Sequence, residues 1–314
     1  MNAPMITILM PAYNAQKYIA AAITSALNQS FTDFELLIIN DGSTDDTQKI
    51  IHSFNDKRIR LINQSNQGVS AALNHGLTKA NANYIARFDA DDISYPLRLE
   101  KQYHFLIENP EYILVGSDAE YIDMNGEFVF THRYAGYSSD EIKRLDYHIC
   151  PFSHATVFYK KQAVIDAGMY DVNAHNFEDH LLWRKLISLG KVHNLAENLV
   201  QYRFNPESVT IDEKWRGQRF SELKYEALKK GSISKRDGDE ILNIIKSQDI
   251  DKIKRGSYYS LLAKKYLFNN YQPAQARKNI SQLIKTYPLK LQGYMLMGLS
   301  FFPENILKSI YKVK

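Results

Sequence analysis

Residues 84–92 read Tyr-Ile-Ala-Arg-Phe-Asp-Ala-Asp-Asp and place three carboxylates within four positions, directly after a short apolar run. Tyr84, Ile85, Ala86 and Phe88 have the composition of a buried strand, and a strand ending in Asp89, Asp91 and Asp92 gathers like charges at its carboxyl end. Crowded carboxylates repel unless something positive sits among them. An oxygen-only cluster with no cysteine and no histidine partner suits a hard divalent cation, Mg²⁺ or Mn²⁺, completed by substrate phosphates and water. The structural alternative is that Asp92 or Ser94 caps a helix beginning near Pro96 while the other two carboxylates are solvated.

A second acidic pair, Glu178-Asp179, opens a predicted helix over 177–189, ahead of an apolar stripe of Leu181, Leu182, Leu186 and Leu189. First-turn carboxylates are favoured by the helix dipole alone. Behind the polar lead-in at 173–176, the pair also stands at the open end of a buried helix, where a carboxylate can take a proton from an incoming hydroxyl.

The elements that must position these groups repeat a pattern. Apolar runs at 6–10, 34–39, 59–62 and 84–88 are each followed by a polar loop and then a helical segment, at 20–27, 44–54, 69–79 and 96–108. Ser43 is the expected N-cap of the second helix, with Asp45 and Asp46 in its first turn. Four strand-loop-helix units in succession predict a mainly parallel sheet flanked by helices. The loops Pro11-Ala12-Tyr13-Asn14, Asn40-Asp41-Gly42-Ser43, Asn66-Gln67-Gly68 and Asp89–Asp92 then share the carboxyl edge, where open α/β sheets bind ligands. The chain has no G-x-G-x-x-G and no P-loop, so a metal on the aspartates becomes the natural holder of a nucleoside diphosphate.

Beyond Pro110 the pattern turns mixed. A strand is expected at 112–116, a hairpin at 119–132 around Asn125-Gly126, a strand at 153–159, a helix at 161–167, and closing strands at 192–195 and 199–204. From Trp215 the sequence is helical and Lys-rich, with segments at 219–229, 239–246, 258–268, 274–286 and 292–301. This divides the chain into a catalytic domain over 1–212 and a basic helical region over 213–314. The first holds 18 Lys and Arg against 26 Asp and Glu; the second holds 21 against 9. Such asymmetry points to a polyanionic partner, an anionic membrane surface or nucleic acid, or else to a helical face kept in solution by lysine. The single cysteine, Cys150, excludes a disulfide framework and fits a buried structural thiol in a reducing compartment. No signal peptide and no membrane-spanning run is expected.

Six motifs in order, Pro11-Ala12-Tyr13-Asn14, Asn40-Asp41-Gly42-Ser43-Thr44-Asp45, Asn66-Gln67-Gly68, Asp89-Ala90-Asp91-Asp92, Pro96-Leu97-Arg98-Leu99 and Glu178-Asp179, closely resemble the family 2 glycosyltransferases over residues 5–210. The resemblance implies a nucleotide-sugar-binding GT-A fold, a mixed and mainly parallel sheet with a C-terminal helical extension. It also implies inverting, metal-dependent transfer of a hexosyl or N-acetylhexosaminyl group from a UDP-sugar to a glycan or lipid-linked acceptor in cell-surface polysaccharide biosynthesis. By the same resemblance Pro11, Ala12, Tyr13 and Asp41 border the base, and Asp41 accepts its ring N–H. Asn66 and Gly68 complete the nucleoside pocket. Asp89 approaches the ribose, with Arg87 and Ala90 also among the cofactor-binding residues; Asp91 holds Mn²⁺ or Mg²⁺ against the diphosphate, with Asp92 a second ligand; Asp179 is the general base, with Glu178 beside it as a catalytic residue. His154 and Arg203 match family positions without an assigned role, and Asn205 stands where the family often has histidine. The expected setting is cytoplasmic and peripheral at the inner face of the plasma membrane, with no nucleic acid partner. A nucleotidyltransferase would need the glycine-rich, basic phosphate loop that 11–17 lacks. A catalytically silent nucleotide-sugar or nucleic-acid binding module would leave Glu178-Asp179 unused.

Overall fold

The computed structural model describes residues 3–145, 148–204, 216–248 and 250–310. The expected boundary at 212/213, the loop at 205–208 and Trp215 lie outside the described residues. Contacts divide the chain into two units: Met1–Ala119, His132–Tyr202 and Glu222–Asp239 form one; Glu120–Thr131, Arg203–Ser221 and Glu240–Lys314 form the other.

In the first unit, β1 (Ile6–Ala12), β2 (Phe34–Asp41), β3 (Ile59–Gln64) and β4 (Tyr84–Arg87) alternate with α1 (Ile19–Leu27), α2 (Thr47–His52) and α3 (Val69–Lys79). The β1–β2, β2–β3 and β1–β4 pairs are all parallel. The chain runs outward from β1 to β3 and then returns to β4 on the other side of β1, which makes the β1/β4 boundary a topological switch point. β1, β2 and β4 are largely buried on both faces because both faces are covered, whereas β3, at the edge, is only half-buried. Ile6, Ile8, Met10, Phe34, Leu36 and Ile38 pack with α1, α2 and α4 (Arg98–Glu108). Leu9, Leu37, Ile39 and Ile85 point the other way, onto α3, α6 (Lys161–Asp166) and α7 (Glu178–Leu189).

The remaining strands make the sheet mixed. They are β5 (Ile93–Ser94), β6 (Tyr112–Ile122), β7 (Phe128–His132), β8 (Phe158–Lys160) and β9 (Lys191–Arg203), with α5 (Ser139–Leu145) between β7 and β8. The order is β3-β2-β1-β4-β8-β6-β9-β5, with β7 paired to β6, and β8 runs antiparallel to both β4 and β6.

Several expectations are corrected here. The second helix begins at Thr47, not near residue 44: Ser43 Oγ accepts the Asn14 amide instead of capping, and Asp45 Oδ1 takes the Thr47 amide. α4 begins at Arg98 with Leu97 at its N-cap and no side-chain cap, so neither Asp92 nor Ser94 caps it; Ser94 Oγ accepts from Gln29. Residues 153–159 are not one strand but a 3-10 turn at His154–Thr156 followed by β8. β6 and β9 are single long strands where two segments each were expected. Gly116 lies inside β6 because a Cβ there would meet Asn194 Oδ1 at 2.3 Å and Phe152 at 2.6 Å, so it marks a close approach and not an end.

The second unit contains the β6–β7 turn, where Asp123 Oδ1 accepts the Asn125 and Glu127 amides, and the helices α10 (Ile250–Phe268), α11 (Pro273–Thr286), α12 (Leu291–Leu299) and α13 (Glu304–Ile310). Its aromatic core stacks Tyr121 on Phe130 at 4.6 Å, beside Phe204. The chain division runs through α8 (Gln218–Lys230) and α9 (Lys235–Lys246). No described helix is long and apolar enough to cross a membrane.

Candidate active site

Three of the four carboxyl-edge loops are joined into one rim. Asn14, at φ 47°, accepts the Thr44 amide through Oδ1 at 2.8 Å, while its own amide donates to Ser43 Oγ. The Gln16 amide reaches Asp45 Oδ2, and the Ala15 amide reaches Thr47 Oγ1. This fastens the loop after β1 to the loop after β2. Asp41, the buried last residue of β2, then fastens the loop after β3: its carboxylate accepts Gln64 Nε2 at 2.7 Å, the Gln67 amide at 2.9 Å and the Gly68 amide at 2.8 Å. Gly42, at φ +74°, lets Asn66 approach so closely that a Cβ would lie 2.7 Å from the Asn66 amide nitrogen. Pro11 and Ala12 end β1 behind this rim, and the Tyr13 side chain stands out from it, 52% exposed. Asn66 and Gly68 are exposed on the same rim.

The fourth loop follows β4. Phe88 continues the strand by one bond, its amide donating to Leu9 O at 3.0 Å. Arg87 is buried, and its Nη1 donates to the Asp89 carboxylate, two residues on. Burial works against the Arg87 charge, but Asp89, with Asp92 behind it, holds its pKa above the usual value. Ala90 and Asp92 are buried and Asp91 is half-exposed between them. The fully buried Arg98 lies beneath this turn. Its Nη2 donates to Arg87 O at 2.7 Å and Val157 O at 3.3 Å, and its Nε to Gln102 Oε1. Burial, and then the Arg87 charge, push its pKa down to about 9, which leaves it charged at neutral pH.

Glu178 and Asp179 open α7 as expected. Asp179 is half-buried; its Oδ1 accepts the His180 amide at 2.6 Å, and Cys150 Sγ lies 4.0 Å from Oδ2. Cys150 is therefore half-buried, not fully buried as expected: it packs against the edge of the second core cluster and lies close to Asp179. Glu178 is buried, and burial, then the Asp179 charge, raise its pKa to about 7; Arg87 pulls it down and Asp89 pushes it up. The acidic helix start and the loop after β4 thus share one electrostatic field. His154 joins this layer: its ring lies 3.0 Å from Tyr170 OH and edge-on to Trp183, and burial, then the Arg87 charge, keep it neutral. Arg203, in the other unit, donates Nη1 to Asp123 O, which gives it a turn-holding role there. Arg98, Gln102 and Tyr170 were not singled out from sequence as site residues; an arginine between two leucines at a helix start gave only a motif match.

Among the described residues, no three His, Cys, Asp or Glu side chains form a metal cluster. Half-exposed Asp91 offers the one carboxylate that a hard cation can take from protein when phosphates and water complete its shell, whereas Asp92 beside it is buried, so the donor set fits Mg²⁺ or Mn²⁺ only in that mode.

Comparison with known proteins places the chain in context. Residues 7–168 match the family described as glycosyl transferase family 2. The chain is 34% identical over 210 residues to the O-antigen biosynthesis glycosyltransferase WbnJ of Escherichia coli, covering 65% of this chain and 81% of that one. It is 32% identical over 223 residues to an uncharacterized glycosyltransferase of Haemophilus influenzae, covering 65% and 67%. Among solved structures, S. aureus TarS 1-349 in complex with UDP-GlcNAc superposes with a TM-score of 0.55 at 17% identity, covering 98% of this chain and 91% of that one.

Proposed function

The chain belongs to glycosyl transferase family 2, and from that membership we propose that this glycosyltransferase moves a hexosyl or N-acetylhexosaminyl group from a UDP-sugar, with inversion, to a hydroxyl of a glycan or lipid-linked acceptor in cell-surface polysaccharide biosynthesis. The observation that supports this reading is that Glu178, at the start of α7 beside Asp179, feels the charges of both Arg87 and Asp89 at the end of β4, as a base close to a donor site would. A relative named for O-antigen biosynthesis and a similarly folded structure holding UDP-GlcNAc support the acceptor and donor classes.

In this mechanism the uracil lies on Tyr13 within the rim of Pro11, Ala12, Asn66 and Gly68. The Asp41 carboxylate has about four acceptor positions and accepts three hydrogen bonds, from Gln64 Nε2 and the Gln67 and Gly68 amides, so one position is left for a ring N–H. Asp89, oriented by Arg87, faces the ribose beside Ala90. Asp179 has Oδ1 fixed by the His180 amide and uses Oδ2 to take the proton of the acceptor hydroxyl as that oxygen attacks the anomeric carbon. Glu178, with its raised pKa, adds less negative charge beside that base than a fully ionised carboxylate would. Asp91 would hold Mn²⁺ or Mg²⁺, which supplies charge stabilisation for the leaving diphosphate. One displacement with one base inverts configuration. The basic helices of the second unit would rest on an anionic membrane surface at the cytoplasmic face.

The test is a panel of nucleotide sugars with Mn²⁺, followed by UDP release without acceptor and by NMR of the anomeric proton of the product with acceptor. Slow UDP release and an inverted linkage are expected; pyrophosphate release or retained configuration would overturn the reading.

A further inference from the structure

α12 has the sequence Leu-Gln-Gly-Tyr-Met-Leu-Met-Gly-Leu, with no charged residue. A helix on a protein surface normally turns a polar face to water. α12 does the reverse. Its inward side carries Gly293 and Leu296, and Gly293 allows such close packing on α11 that a Cβ would meet Ile284 at 2.7 Å. Its outward side carries Leu291 at 77% exposure, Tyr294 at 51% and Met295 at 67%, at the i, i+3, i+4 spacing of one helical stripe. The turns at its two ends extend that stripe with Leu289, 97% exposed, and Phe301, 72% exposed. A contiguous apolar patch of this kind marks an interaction surface, and nine residues are too few to span a bilayer.

The surrounding charge identifies what covers it. Residues 252–303 contain nine Lys and Arg and no Asp or Glu. Lys290 lies 4.2 Å and Lys252 5.5 Å from the Tyr287 ring, beside Leu289. Burial, and then the Lys252 charge, lower the Lys290 pKa, so the two ammonium groups on either side of Tyr287 feel one another. Two copies of this face would oppose like charges, whereas an anionic leaflet satisfies both the cations and the apolar stripe. We propose that α12 and its flanking turns dock into the interfacial layer of an anionic lipid bilayer, with Leu289, Leu291, Met295 and Phe301 entering the acyl boundary and Lys252 and Lys290 at headgroup level. This rests on the membrane contact proposed above and adds insertion to it.

The test sediments the full chain with vesicles of phosphatidylcholine alone or mixed with phosphatidylglycerol, at low and high salt, beside the double variant Leu291→Ser/Met295→Ser and the variant Lys252→Gln/Lys290→Gln. Partition to the anionic vesicles is expected, reduced about tenfold or more by the apolar variant at both salt concentrations. The lysine variant should lose about fivefold per charge at low salt, and less at high salt. In a third variant, Leu291→Trp, tryptophan emission should shift to the blue when anionic vesicles are added. Salt-sensitive binding that ignores Leu291→Ser/Met295→Ser would overturn insertion while leaving the surface contact. No sedimentation of the wild-type chain would overturn both. A wild-type dimer that the apolar variant dissociates, with no vesicle binding, would assign the patch to a second copy. UDP release, measured in parallel without vesicles, should be the same in all variants, and its loss in the wild type would count against the enzyme reading alone.

Discussion

Arg87 and Asp89 form an ion pair across two residues of one chain turn, with the guanidinium buried and the carboxylate about one quarter exposed, 23%. The buried guanidinium charges of Arg87 and Arg98 are what let the sheet end in three aspartates. Replacing Arg87 with Met keeps much of the volume but takes from Asp89 its paired guanidinium and leaves Arg98 as the buried counter-charge of Asp92 and Asp89. Removing one partner of a buried pair costs about 3–5 kcal/mol, discounted toward the lower figure here because Asp89 reaches water. Arg87→Met should therefore unfold at clearly lower urea, and the Glu178 pKa should rise further, since Arg87 now pulls it down. Urea midpoints and a pH titration of the variant check both; an unchanged midpoint would remove Arg87 from its assigned role.

Asp41 ties β2 to the loop after β3 through the Gln67 and Gly68 amides. Asp41→Ala deletes that clasp, and because the loop is exposed the freed amides rehydrate, so the stability loss should stay near 1–3 kcal/mol. UDP affinity should fall more than stability does, as the rim loses its shape and its ring N–H acceptor together. Calorimetric titration with UDP measures this; full affinity in the variant would show that the base is read elsewhere.

Asp179→Asn keeps the size and the Oδ1 contact with the His180 amide but removes the base. Transfer should drop about 10²–10⁴-fold with UDP binding retained. Normal turnover in this variant would move the base to another residue, with Glu178 the first to examine.

Asp91→Ala addresses the metal through binding as well as activity. In the wild type, chelation should weaken UDP binding; in the variant, UDP binding should already be weak and insensitive to Mn²⁺. Even groups that only support a metal ligand cost about 10–100-fold when removed, so loss of a ligand should cost at least that much. Equal UDP affinity with and without Mn²⁺ in the wild type would end the metal assignment.

The parallel half of the sheet was legible because burial on both faces makes continuous apolar runs, as at residues 34–39, and because Asn, Asp and Gly gather where those runs end. The positions of the two acidic motifs, at a strand end and a helix start, were legible for the same reason, although the helix dipole alone favours carboxylates in a first turn. What escaped sequence reading depended on long-range contacts. Gly116 reads as a strand end until Asn194 and Phe152 are seen against it. Ser43 reads as a cap until the Asn14 amide is found on its hydroxyl. β5 has two residues and exists only because β9 lies alongside, Ile93 opposite Gln201. Arg98 gives no local sign that its guanidinium will be buried under the Arg87 and Val157 carbonyls.

Glu178 gives the fold a pH dependence of defined sign. Its folded pKa of about 7 lies above the ordinary 4.5, raised first by burial and then by Asp179. Between those two values the folded chain therefore binds more protons at this site than the unfolded chain does, and stability falls as pH rises. The loss begins above the ordinary carboxylate range and levels off beyond neutral pH, where both states are ionised. Adjacent carboxyls titrate as a pair, so the measured midpoint belongs to Glu178 and Asp179 together. Glu178→Gln supplies the neutral form at every pH: it should match the wild type near pH 5, exceed it near pH 8, and flatten the slope between them. Urea midpoints of both proteins across that range test this, and a slope that survives the substitution would place the titrating group elsewhere.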